Sequence, residues 1–149
     1  MKILTIHGPN LNLLGQREPE VYGPKSLAMI NREIDLRGAA LELTTTCCQS
    51  NHEGEIIDWL QNAGPEGFSG IIINPAAFTH TSVAIRDAIA AIELPVIEVH
   101  LSNISARDEF RQKSLTAAVC QGSISGFGAT SYLLALEAFK LLINPATKE

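Results

Sequence analysis

The sequence predicts an α/β fold in which five parallel strands form one sheet with helices on both faces. Three observations lead there. Short runs rich in β-branched and apolar residues recur five times, helical patterns separate them, and 149 residues suffice for one domain, 1–149, with a substantial core. Runs that alternate with helices imply βαβ units, which keep the strands parallel and cover both faces of the sheet. At this length a flavodoxin-like strand order 2-1-3-4-5, in a three-layer α/β/α arrangement, is the natural solution. Ligands bind such sheets beyond the carboxyl ends of the strands.

The first strand is KILTIH at 2–7. The sixteen residues that follow, 8-GPNLNLLGQREPEVYG-23, are punctuated by Pro9, Gly15, Pro19 and Gly23, so no helix is expected there. That is also long for an α/β connection. A helix over 26–38 leads to the second strand, LELTTTC at 41–47. Ser50-Asn51-His52-Glu53 has the form of a capping box and opens a helix over 52–63. GIIIN at 70–74 is the third strand; Thr81 or Ser82 caps a helix over 82–92, with Val83, Ile85, Ile89 and Ile92 as its apolar stripe. PVIEVHL at 95–101 and AAVCQGSI at 117–124 complete the sheet, and a last helix covers 128–142.

Composition narrows the function. The chain is 46% hydrophobic and 18% charged, with a net charge of −5 and no lysine-rich run, which argues against nucleic acid and anionic membranes as partners. Cys47, Cys48 and Cys120 are an odd number without CxxC spacing, as expected of buried, inert thiols. Neither a signal peptide nor a membrane-length apolar run is evident, so a cytoplasmic location is expected. Metal ligation is not expected, because there is no HExxH and no carboxylate pair at ligand spacing.

The strand ends collect the polar chemistry. After the first strand, Arg17 and Tyr22 lie in a segment that is either a mobile surface loop or a lid over the strand ends. Tyrosine is a poor base at neutral pH; lowering its reference value near 10 to about 7 takes about 4 kcal/mol. Guanidinium groups can supply that, and Arg17, Arg107 and Arg111 are candidates, whereas Tyr132 is expected in the core. After the third strand, Asn74-Pro75 and Thr79-His80-Thr81-Ser82 precede a helix start, suited to a polyol or an anion as well as to ordinary capping. Asp87 beside Arg86 has the pattern of a surface ion pair. In the fourth strand Glu98 and His100 point to one face, either as a structural pair or as an imidazole whose tautomer is set by a carboxylate. Ser102, Asn103, Arg107 and Arg111 follow and favour a site. His7 is expected in the core or the site wall, and His52 in solvent.

Four blocks carry a resemblance: 8-GPNLNLLGQREPEVYG-23, 50-SNHEGEIIDW-59, 74-NPAAFTHTSVAIRDAI-89 and 95-PVIEVHLSNISARDEFR-111, with 126-GFGATSYLLAL-136 as a weaker fifth. They resemble the type II 3-dehydroquinate dehydratases of the shikimate and quinate pathways. The resemblance implies a lyase that forms 3-dehydroshikimate by anti elimination of water, with no metal or cofactor, in aromatic (chorismate) biosynthesis or quinate breakdown. Carried over by position, Tyr22 is the base, Arg17 favours the tyrosinate, Asn10 holds a water at the enolate oxygen, and His100 is the acid oriented by Glu98. Asn74, His80, Asp87, Leu101, Ser102 and Arg111 bind substrate, Leu101 and Ser102 through backbone amides at its carboxylate. The resemblance further implies trimers stacked into a dodecamer, with Asp87 reaching a neighbouring subunit's site. Ser131 stands where a glycine is expected, and Pro24 follows the lid. Two other readings are weaker. A flavin or phospho-acceptor module would want a Ser/Thr/Gly-rich turn after the first strand or an acidic cluster at the strand ends. A catalytically dead scaffold would not need Asn10, Arg17, Tyr22, Glu98 and His100 together.

Overall fold

The structure is a computed structural model and describes residues 1–143. Five strands, β1 (Lys2–His7), β2 (Thr44–Gln49), β3 (Gly70–Asn74), β4 (Val96–His100) and β5 (Gly122–Ser125), pair in parallel in the order β2-β1-β3-β4-β5. The helices are α1 (Pro19–Tyr22, a single turn), α2 (Leu27–Ala40), α3 (Glu53–Ala63), α4 (Val83–Ala91) and α5 (Thr130–Ile143).

The alternation of side chains along each strand divides the core in two. On one face Ile3, Ile72, Ile97 and Val99 pack with Ile30 and Ile34 of α2 and with Tyr132, Leu136 and Phe139 of α5. On the other, Leu4, Ile6, Ile71 and Ile73 pack with Ile56 and Leu60 of α3 and with Ile85 and Ile89 of α4. Each fully buried isoleucine of β3 contributes about 1.5–3 kcal/mol by its removal from water. The central strands are therefore largely apolar on both faces; apart from Thr5 in β1 and Glu98 in β4, their polar residues lie at the strand ends.

Several local expectations need correction. α2 continues to Ala40, and β2 starts at Thr44. Gly38 lies inside α2 and packs closely on β2: a Cβ there would sit 2.5 Å from Thr45 Cγ2. The chain turns later, through Glu42 at φ 60°. β5 is shorter than expected, because Ala117–Val119 form a 3-10 turn whose first N–H is taken by Ser114 Oγ at 2.9 Å. The segment after β1 holds a 3-10 turn at Leu11–Leu13 and the one-turn α1, with Pro19 at the position where a helix needs no N–H. Ser50 and Glu53 form no capping box: Ser50 Oγ accepts from His52 N at 2.9 Å, and Glu53 instead accepts from Ser82 Oγ. Ser82 caps α4, accepting from Ile85 N at 2.9 Å. The three thiols are half-buried rather than buried, and burial pushes each up to about 12, so they are neutral. Among the described residues no helix is long and apolar enough to cross a membrane.

Candidate active site

The carboxyl ends of β1, β3 and β4 open into a cavity of about 180 Å³. The segment after β1 contributes Asn10, Arg17 and Tyr22; β3 and the turn after it contribute Asn74 and His80. β4 contributes His100, and the chain beyond it Leu101, Ser102, Arg107 and Arg111. Nine of the eleven residues singled out from the sequence thus line one space. Glu98 lies behind His100, fully buried, and Asp87 is exposed on α4, outside the cavity of its own chain. Arg86 does not pair with it, since its Nη1 donates to the Leu115 carbonyl at 2.7 Å.

Asn74 is fixed by the polar core beneath it. Its Oδ1 accepts from Ala76 N at 3.1 Å and its Nδ2 donates to the Tyr132 hydroxyl at 3.0 Å. Tyr132 is fully buried as expected, and burial raises its pKa, so it remains a phenol. That phenol donates to His7 Nδ1 at 2.9 Å, and His7 Nε2 donates to Asn31 Oδ1 at 2.8 Å. Burial lowers the His7 pKa from 6.5 to about 4, and the neutral ring suits one donor and one acceptor. Asn74 therefore offers its remaining N–H to the cavity. Ser131 is buried and accepts from Phe127 N at 3.3 Å, a local tie at the start of α5.

In the unfolded chain His7 takes up a proton below pH 6.5, and in the fold only near pH 4. Stability therefore falls as the pH drops between those values, by up to about 3 kcal/mol. Urea unfolding at pH 7.0 and 5.0 should show the loss, and His7→Gln should flatten that slope; equal slopes in the two proteins would contradict it.

His100 and His80 have assigned partners. Glu98 Oε1 lies 2.6 Å from His100 Nε2, which donates to it and leaves Nδ1 to exchange a proton. His80 Nδ1 donates to the Lys113 carbonyl at 2.7 Å, so its Nε2 is the nitrogen left to meet a ligand.

A model of the family described as "Dehydroquinase class II" matches residues 1–140. The chain belongs to this family. A 3-dehydroquinate dehydratase of Deinococcus radiodurans is 55% identical over 91% of the chain and 94% of that relative. Another, from Halothermothrix orenii, is 55% identical over 96% of each. The crystal structure of a type II dehydroquinase from Butyrivibrio crossotus superposes with a TM-score of 0.91 at 47% identity, covering 93% of this chain and 96% of that one.

Within this class II dehydroquinase chain, two features go beyond what the sequence alone could rank or reveal. The first is Arg107. Its Nη2 donates to the Tyr22 hydroxyl at 3.1 Å and its guanidinium lies 5.5 Å from the ring centroid. Arg17 lines the same cavity and pairs with Glu18 at 3.7 Å. The sequence named Arg107 as an available cation, but nothing in a separation of 85 residues ranks it above the nearer Arg17. The second is the set of hydroxyls around Glu98, from Thr79, Ser114 and Thr116. In sequence they look like turn and cap residues. Burial pushes the Glu98 carboxyl up, yet hydrogen bonds from His100, Thr116 and Thr79 outweigh it and hold the group below its ordinary value.

Proposed function

We propose that this chain eliminates water from 3-dehydroquinate to give 3-dehydroshikimate, through an enolate and without cofactor. The observation that carries the reading is one cavity holding a tyrosine hydroxyl under an arginine and an imidazole backed by a carboxylate. Loss of a proton beside a ketone, followed by loss of a β-hydroxyl, needs a base, a stabiliser for the enolate and an acid. Tyr22, as tyrosinate, takes the proton from the carbon next to the ketone, with Arg107 and Arg17 favouring the anion. Asn10 holds a water at the enolate oxygen. When the enolate collapses, the carbon–oxygen bond breaks anti to the abstracted proton, and His100 protonates the leaving hydroxyl as water.

The remaining residues hold the substrate. Asn74, His80 and Arg111 meet its hydroxyls, and the backbone amides of Leu101 and Ser102, with the Ser102 hydroxyl, meet its carboxylate. Asp87, exposed on α4, completes a neighbouring subunit's site in trimers that stack into a dodecamer. The enzyme works in the cytoplasm, in aromatic (chorismate) biosynthesis or quinate breakdown.

An enolate route forms no covalent bond to the protein, and no lysine lines the cavity among the described residues. Treatment with borohydride in the presence of substrate should leave activity intact. An inactivated enzyme carrying a reduced substrate adduct by mass spectrometry would refute the enolate route.

A further inference from the structure

Glu98 is fully buried at the centre of β4, and four donors converge on it. Thr79 Oγ1 lies 2.6 Å, Ser114 Oγ 2.9 Å and His100 Nε2 2.6 Å from Oε1, while Thr116 Oγ1 donates to Oε2. A lone buried carboxylate is costly and escapes the cost by taking up a proton. Here the most acidic proton within hydrogen-bond reach is the one on His100 Nε2.

The hydroxyls are arranged to prevent that transfer. Each carries one proton, and Ser114 Oγ already accepts from Ala117 N, so its proton is free to donate. Three hydroxyl protons and one imidazole proton match an anionic Glu98; a protonated Glu98 would set its own O–H against those donors. The hydroxyls also sit within 2.6–3.3 Å of one another, so they move as a group. Two chain segments supply them and are tied together: Leu115 N donates to the Thr79 carbonyl at 2.7 Å and Arg86 Nη1 to the Leu115 carbonyl at 2.7 Å. Other charges do not account for the arrangement. The residues paired with Glu98 across the sheet are Ile73 and Ser123, and the nearby Cys120 thiol is neutral. His100 is the one titratable side chain hydrogen-bonded to Glu98 among the described residues.

We propose that Thr79, Ser114 and Thr116 are positioning residues for proton transfer: their hydroxyls hold Glu98 as a carboxylate that orients His100 without drawing the proton from it. A carboxylate already satisfied by three hydroxyls pulls less on Nε2–H. The imidazolium then remains a stronger acid at Nδ1, where the proposed leaving group is protonated. Loss of a hydroxyl concentrates the carboxylate's charge on His100, which then binds its proton more tightly and gives it up more slowly. The proposal rests on His100 being the acid.

The test uses Thr116→Val, Ser114→Ala and Thr79→Val in the full chain, with folding checked by circular dichroism. Histidine-labelled protein resolves the four imidazoles by NMR, and the spectrum of His100→Ala assigns the His100 signal. In the folded variants the His100 titration should move to higher pH by about half a unit to one unit. kcat should fall about tenfold with little change in KM. Thr116→Ser, which keeps the hydroxyl, should return both towards wild type. An unmoved His100 titration in folded variants overturns the proposal, whether or not kcat falls. A moved titration with unchanged kcat supports the hydroxyl cage and counts instead against His100 as the acid.

Discussion

Tyr22→Phe should lower kcat for 3-dehydroquinate dehydration by about a thousandfold or more, within the range for loss of a general base. The substitution removes one oxygen and leaves the ring, which packs against the core cluster of α2 and α5. The lost contact is the single hydrogen bond from Arg107, at a half-buried site, so stability should change by no more than about 1 kcal/mol. KM should hold, because the proposed substrate contacts come from the β3 and β4 sides of the cavity. The structure adds a companion expectation. Arg107 touches the hydroxyl directly, so Arg107→Gln should reduce kcat more than Arg17→Gln does. A Tyr22→Phe variant within tenfold of wild type would remove Tyr22 from the base role.

His100→Ala should lower kcat by about 10²- to 10⁴-fold, as loss of the acid leaves hydroxide to depart unassisted. Removing the partner of a buried charge normally destabilises by about 3–5 kcal/mol. Here Glu98 keeps three hydroxyl donors, so the loss of stability should fall well short of that. The two readouts therefore separate: a large loss of turnover in a protein that still folds. A variant that keeps more than a tenth of wild-type kcat would contradict the assignment.

The sheet was legible because its physics is local. The isoleucines of β3 and the apolar run of β4 can be buried on both faces only in a parallel sheet with helices above and below. The site was legible where polar residues interrupt those runs at their ends, as Asn74 and His100 do. Glu98 was legible too, because a carboxylate inside an apolar strand needs a reason. What stayed hidden depends on contacts between distant segments. The close packing of Gly38 in α2 shows only once Thr45 is seen against it. Ala117–Val119 look extended until the Ser114 hydroxyl takes an N–H of that stretch. Arg107 and Arg17 are equivalent on paper, and only the path of the chain beyond β4 brings Arg107 to the Tyr22 hydroxyl. Asp87 lies on the outer surface of α4, and its proposed role belongs to an assembly rather than to one chain.

The measurement that bears most directly on this account is turnover of 3-dehydroquinate by the purified protein in the presence of a strong chelator. It is followed by the ultraviolet absorbance of the conjugated enone product. Steady formation of 3-dehydroshikimate without added metal or cofactor is the expected result. Absence of product from folded, assembled protein would contradict it.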